Sequence, residues 1–425
     1  MAEHLNPATL DFIRQHASDD VRQLALHRAP AEVDMRAALQ QIEGRQLAAR
    51  KLPSCAATDG LLFPPRLSLE QCSSEATAAY KRHIIEQAHR RSSPHISNGS
   101  ATSFFIDLTA GFGIDFVAIA PLFNRALYVD SNPELCTLAR HNLPLLGLTS
   151  AAVRCATAQD ILKESPQAEL IFIDPARRDS AGHKVALIED CSPDICVLQT
   201  YLRSAAHLVL IKLSPMLDLT AALRALQGIQ QVHVVSVGGE CKELLLLMSS
   251  SPEIPIDDIP ITCIDLSTQP HPLPYSASDL TTQQPALSFT RSEEAAAPLV
   301  LANSIASFIF EPHASILKAG AFRTLCQRFP VRKLSVDTHL YTSDSLISDF
   351  PGRTWRVLGH SSFSKRDLRT FLGDTRAAEL SVRGFPLSVT ALRKQLRLSE
   401  GGQTHFIATT LADGQRRLLR VERSA

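Results

Sequence analysis

The residues of this sequence best suited to chemistry are aspartates set beside apolar runs, and the first pair brackets a glycine turn. Asp107 closes the run Phe104–Leu108, Gly111 and Gly113 break the chain, and Asp115 lies at the start of a second apolar run, Ile114–Ile119. Strand, glycine turn and helix together make a nucleotide-binding crossover, in which glycine lets the backbone approach a ligand that a Cβ would strike. A dinucleotide fingerprint needs a third glycine three residues after Gly113, where this chain has Phe116. Carboxylates on both sides of the turn repel a pyrophosphate and suit a cation. The turn therefore favours S-adenosylmethionine, which carries a sulfonium and an ammonium and no phosphate, over NAD. Asp107 is expected within reach of that ammonium, with Thr109 and Phe112 lining the same turn.

Further polar residues follow at the ends of later apolar runs. Asp130 closes Arg125–Asp130, where its two oxygens can accept both hydroxyls of a ribose. Gln159-Asp160 follows the third run, and a carboxylate at Asp160 can accept from the exocyclic amine of adenine. Asp174-Pro175-Ala176-Arg177 closes the fourth, at the sheet edge where donor and acceptor meet, and methyl transfer by direct displacement depends on positioning there. Arg177 and Arg178 either stack on a base or hold a phosphate, or form a surface salt-bridge pair. Lys212 ends the fifth run facing the same cleft. Cys191 lies among Glu189, Asp190 and Asp194, which oppose a thiolate, so it reads as structural rather than as a covalent nucleophile. The histidines show no ligand spacing, and no metal site is expected.

The elements that must hold these residues recur at crossover spacing. Strands are expected at 103–109, 125–130, 151–157, 170–175, 207–213, 232–239 and 241–248, with helical patterns between the first six. The last two are joined by little more than Gly238-Gly239-Glu240, which permits only an antiparallel hairpin. Ahead of the sheet, residues 1–50 read as helices starting at Asn6-Pro7 and Glu32. Residues 51–68 form a connector, and a helix capped by Ser73 or Ser74 runs through about His89, either as a lid over the cofactor or as a capped surface helix. Beyond the sheet, 251–285 reads as a linker, Ala295–Phe308 and Ser315–Cys326 as helices, and 331–336, 354–359 and 361–364 as strands. Then come helices at 364–371 and 387–396, a strand at 378–382, and a hairpin of 403–410 with 416–421 around Asp413-Gly414.

Residues 69–250 resemble a class I S-adenosylmethionine-dependent methyltransferase of the trimethylguanosine-synthase-like and RNA-modifying branches. The likeness runs through Asp107–Asp115, Tyr128-Val-Asp-Ser-Asn-Pro133 and Ile171-Phe-Ile-Asp-Pro-Ala-Arg-Arg-Asp179. The whole chain is similar to bacterial methyltransferases with a C-terminal THUMP-like domain. The resemblance implies an α/β fold with a Rossmann-like parallel sheet ending in an antiparallel hairpin, a helical N-terminus and small ferredoxin-like and THUMP-like α/β domains. The expected divisions are 1–95, 96–250, 251–358 and 359–425. In amino-methyltransferases the turn corresponding to Asp174-Pro175 takes the hydrogens of an amine, and an aromatic ring stacks on the base. Here Ala176 and Arg177 depart from that pattern.

Composition sets the remaining bounds. The chain has no net charge and is 45% hydrophobic. No stretch reads as a secretory signal or a membrane span. Nine scattered cysteines without a CxxC pair suit reduced thiols in the cytoplasm. From Arg353 onward there are 14 Lys/Arg against 6 Asp/Glu, a net charge of +8, which suits nucleic acid. The reading that results is a methyltransferase modifying a base in structured RNA, tRNA or rRNA. A small-molecule or protein acceptor is the alternative, and the intact Asp107, Gly111, Gly113, Asp130 and Asp174 speak against an inactive RNA-binding fold.

Overall fold

The computed structural model describes residues 5–26, 30–92, 103–176, 187–266 and 286–424. They form two compact units. The first comprises the described residues up to Gly238 with Lys242–Pro255 and Leu266, and the second comprises Gly239–Cys241, Ile256–Asp265 and the described residues from 286 onward.

The first unit opens with helices α1 (Pro7–Gln15), α2 (Val21–Leu24), α3 (Met35–Lys51), α4 (Pro53–Ala57), α5 (Arg66–Gln71) and α6 (Glu75–Ser92). Asn6 caps α1 by accepting from the Thr9 amide at 2.8 Å, and Asp34 caps α3 by accepting from Ala37 at 3.0 Å. The connector expected at 51–68 contains α4, because Pro53 occupies a first-turn position that needs no amide donor.

Next come β1 (Phe104–Asp107), α7 (Ile114–Ile119), β2 (Arg125–Asp130), α8 (Pro133–Leu145), β3 (Ala152–Cys155), α9 (Ala158–Lys163) and β4 (Ala168–Ile173). α10 (Ile195–Ala205), β5 (Ala206–Leu213), α11 (Leu219–Ala225), β6 (Ile229–Val237) and β7 (Glu240–Ser249) complete the sheet. Within this unit the strands run in the order β3-β2-β1-β4-β5-β7-β6. Neighbours from β3 to β5 pair in parallel, and β7 runs antiparallel to β5. The inner strands are near-continuous apolar runs, such as Leu170–Ile173 and Leu244–Met248, all buried, as a parallel sheet covered on both faces requires. The order in which successive strands are added reverses between β1 and β4, which remain parallel, and ligands bind beyond the carboxyl ends of strands at such a switch point.

The second unit contains β8 (Ile261–Leu266), which pairs antiparallel with β9 (Leu287–Phe289), then α12 (Arg291–Ala296), β10 (Phe308–Pro312), α13 (Ala314–Ala319) and α14 (Arg323–Arg328). β11 (Arg332–Lys333), β12 (Tyr341–Ser343), β13 (Gly352–Ser361), α15 (Lys365–Leu372), β14 (Glu379–Arg383), α16 (Val389–Leu396), β15 (His405–Thr410) and β16 (Arg416–Arg423) follow. A seven-stranded sheet runs β11-β12-β10-β13-β16-β15-β14.

Several expectations give way here. Part of the expected linker 251–285 is strand β8. The helix expected at 295–308 is the shorter and earlier α12, started by a Thr290–Glu293 capping box and unable to continue through Pro298. The helix expected at 315–326 is split in two by Gly320, whose φ of 84° terminates α13. The two strands expected at 354–364 are the single β13, with a bulge between Val357 and Gly359 in place of a turn. No helix among the described residues is long and apolar enough to cross a membrane.

Candidate active site

The carboxyl ends of β1, β2, β4 and β5 open on a cleft of about 770 Å³, within the roughly 300–1,000 Å³ usual for small-molecule sites. The β1–α7 turn, Asp130, Ala156–Gln159, Asp174–Ala176 and Lys212–Pro215 line it. Leu67, Glu70, Gln71 and Ser73 add a wall from the segment leading into α6.

The glycine turn is set by backbone conformation. Gly111 and Gly113 have φ of 58° and 89°, a region costing an L side chain roughly 1–2 kcal/mol. A Cβ at Gly111 would meet nothing nearer than the Thr109 carbonyl at 3.9 Å, so crowding by the protein is not what demands glycine there. The Gly111 amide donates to Asp130 Oδ2 at 2.9 Å, and the Asn132 amide to Oδ1 at 2.8 Å. Asp130 is thereby fixed, half-buried at the cleft, with a lone pair left on each oxygen.

Asp107 is fully buried. Its Oδ1 accepts from the Thr109 amide at 3.0 Å, and its Oδ2 has no hydrogen-bond partner among the described residues. Burial holds this carboxyl well above the usual carboxylate range, against the Thr109 bond, and the charges of Asp115, Asp174 and Asp130 add to the rise. Asp107 itself does not line the cleft, whereas Leu108 and Thr109 beside it do, and its orphaned Oδ2 is an acceptor left open for a ligand's cation. The Thr109 hydroxyl accepts from the Asp174 amide at 2.7 Å and so ties the turn to the end of β4.

Asp115 lines the cleft but is not an open carboxylate. Ser73 Oγ donates to its Oδ2 at 2.7 Å, and Lys81 Nζ lies 3.0 Å from its Oδ1. Lys81, fully buried, also lies 2.6 Å from Glu243 Oε2 and donates to Ser73 Oγ at 3.0 Å. Burial pushes the Asp115 carboxyl up, but Lys81, Lys212 and Ser73 prevail and hold it below its ordinary value. Lys212 extends the network to Asp174, with Nζ 2.5 Å from Oδ2.

Asp160 corrects the adenine expectation. Thr157 caps α9, and Asp160 turns back to accept from the Thr157 hydroxyl at 2.6 Å, with Lys163 at 3.8 Å. It is exposed and does not line the cleft, whereas Thr157 and Gln159 do. Asp174 and Pro175 line the cleft; Arg177 and Arg178 lie outside the described residues. Cys191 is buried, and no group of His, Cys, Asp and Glu among the described residues is arranged to hold a metal. Sequence reasoning offered Ser73 only as a helix cap, a part that Ser74 takes by accepting from the Thr77 amide at 3.2 Å, and missed Lys81 and Glu243. The available signal was a charge inside an apolar pattern: Lys81 shares the stripe of Ile84, Ile85 and Ala88, and Glu243 precedes five buried apolar residues of β7.

Known proteins bear on this arrangement. Residues 308–351 match the model of a ferredoxin-like domain, and residues 352–423 match that of a THUMP-like domain. The chain is 25% identical over 326 residues to uncharacterized S-adenosylmethionine-dependent methyltransferases of Mycobacterium tuberculosis, covering 72% of this chain and 77% of theirs. A crystal structure of a candidate methyltransferase from Porphyromonas gingivalis W83 is 34% identical, with a TM-score of 0.80 and 98% of each chain covered. With the sheet order and the orphaned Asp107 beside its glycine turn, these likenesses show that the chain belongs to the class I S-adenosylmethionine-dependent methyltransferases that carry C-terminal ferredoxin-like and THUMP-like domains.

Proposed function

We propose that this methyltransferase modifies structured RNA, a tRNA or rRNA. The observation that carries the reading is the outer surface of two helices. α15 and α16 pack on one sheet face through Leu368, Leu392 and Leu396. Their exposed positions carry Lys365, Arg366 and Arg369, and Lys394 with Arg397 at the end of α16. Phosphate neutralisation by such clustered cations supplies affinity that does not depend on sequence, and folded RNA is held largely by shape and backbone. Arg393 and Arg420 do not belong to this set. Arg393 donates to the Ala378 and Ser399 carbonyls, each at 2.8 Å, and Arg420 lies over the Phe371 and Phe406 rings.

Bound S-adenosylmethionine supplies an electrophilic methyl group. Asp107 holds its ammonium, Asp130 accepts its ribose hydroxyls, and Gly111 and Gly113 shape the turn against it. Thr157 or Gln159 meets the adenine. Asp174 and Pro175 orient the acceptor, with Thr109 fixing Asp174 to the turn. All nine cysteines are free, which suits a reducing cytoplasm.

The test is transfer of tritiated methyl from S-adenosylmethionine into total RNA from a strain lacking the protein. Label in RNA is expected; label confined to protein or small molecules overturns the reading. Reversing Lys365, Arg369, Lys394 and Arg397 to glutamate should weaken RNA binding and lower its salt slope by about 1 per lost phosphate contact. An unchanged slope would return these helices to a purely structural role.

A further inference from the structure

We infer that Lys212 suits this active site to an acceptor that reacts as an anion, a ribose hydroxyl or an imide ring nitrogen, and not to an exocyclic amine. The RNA reading above enters only in naming the molecule that carries the acceptor. Lys212 ends β5, is 8% exposed and lines the cleft beside Asp174. Its Nζ lies 2.5 Å from Asp174 Oδ2 and 4.0 Å from Asp115 Oδ2. A buried ammonium therefore stands at the strand end where the acceptor is expected.

The sign of the charge developing on the acceptor decides what that ammonium can do. A neutral amine becomes positive as the methyl arrives, and a neighbouring ammonium opposes that change. An ionised hydroxyl or imide begins negative and is stabilised before and during attack by a fixed cation. The donor is itself cationic, and a second cation is tolerated in the same cleft because Asp174 and Asp115 stand beside it.

Lys212 is not the base in this scheme. Burial works against its charge, but Asp174, Asp115 and Glu243 prevail and hold it protonated. The proton acceptor is Asp174: Lys212 takes Oδ2, which leaves Oδ1 for the substrate. Burial raises this carboxyl above its ordinary value even against Lys212, as a carboxylate base requires. The acceptor's O–H or N–H proton passes to Asp174 Oδ1. The freed lone pair forms the bond to the methyl carbon as the carbon–sulfur bond breaks, with that electron pair staying on sulfur. Asp174 then gives its proton to water, so the products are methylated acceptor, S-adenosylhomocysteine and one proton.

Two measurements test this. The first identifies the linkage of labelled methyl in the RNA, protein and small-molecule fractions of a strain lacking the protein. A 2′-O-methyl or imide N-methyl product in RNA is expected, and nucleoside analysis separates the two. Methyl on an exocyclic amine overturns the inference while leaving the RNA reading intact. An O-methyl or imide product found only outside RNA keeps the inference and overturns the RNA reading. No product in any fraction overturns both. The second compares binding of S-adenosylmethionine and S-adenosylhomocysteine to wild type, Lys212→Met and Lys212→Arg by calorimetry. Removing the ammonium should tighten the sulfonium ligand relative to the thioether at least threefold, while the arginine variant keeps the wild-type ratio. Equal ratios in all three would show that the Lys212 charge does not reach the methyl group, and the inference would fall.

Discussion

Lys81→Met would remove the one ammonium shared by Asp115 and Glu243 while keeping most of the side chain's packing. Lys81 is fully buried, 3.0 Å from one carboxylate and 2.6 Å from the other. Taking one partner from a buried ion pair leaves a charge that neither water nor protein compensates, at about 3–5 kcal/mol. Two carboxylates lose this partner, but Lys212 stays 4.0 Å from Asp115 and Ser73 still donates to it, so the loss should stay within that range, a large share of the roughly 5–15 kcal/mol that holds a domain folded. The sign of its pH dependence follows from Asp115. Without Lys81, burial acts on that carboxyl with less opposition and raises its folded-state value above the unfolded one. Such a group costs stability at high pH, and the cost fades as pH falls through the folded value, so the deficit should shrink on acidification. The assay is urea unfolding followed by far-ultraviolet circular dichroism, with hydrogen exchange on peptides covering 75–92, 114–119 and 240–249. Trp355, the chain's single tryptophan, belongs to the other unit, and its fluorescence would miss the event. A loss below about 1 kcal/mol, independent of pH, would refute the assignment of Lys81 as the organising charge.

Asp107→Asn should stabilise the donor-free protein near neutral pH, because it removes a buried carboxyl whose ionisation burial opposes. The raised folded-state value puts that cost at high pH, so the gain should vanish as pH falls. Wild type should also release up to about one proton per donor bound, since the ammonium calls for the ionised form. Calorimetry in buffers of different ionisation enthalpy reads this directly; a wild-type enthalpy indifferent to buffer would exclude the role. Asp130→Ala should weaken donor binding at least tenfold, about 1.4 kcal/mol, and unchanged affinity would remove the ribose assignment.

The sheet was legible in the sequence because buried parallel strands are continuous apolar runs closed by polar residues, and β2 falls where its residues place it. The strand-end positions of Asp107, Asp130 and Asp174 were legible for the same reason, and of the three Asp130 and Asp174 line the cleft. Asp160 was misread because position after a strand does not reveal helix phase. The Thr157 cap fixed that phase and turned the carboxylate back on its own helix. Lys81 and Glu243 lie 162 residues apart, and neither residue's neighbours announce the other. The helix expected at 295–308 fails at Pro298, which has no amide donor to give to a helix interior.

The ferredoxin-like and THUMP-like matches meet at residue 352, and 352 is the first residue of β13. One edge of that strand pairs with β10, from Phe308↔Arg356 to Pro312↔Gly352, and the other pairs with β16. Beneath it Ile309 and Leu340 share a core with Trp355, Ile407, Leu419 and Val421. The joint between the two modules is therefore a seam and not a hinge. A fragment beginning at 352 would present an unpaired strand edge and half a core, a template for aggregation. A chimera joined there would have to inherit both sides of the β10–β13 ladder, and so the two modules are heritable only as a pair.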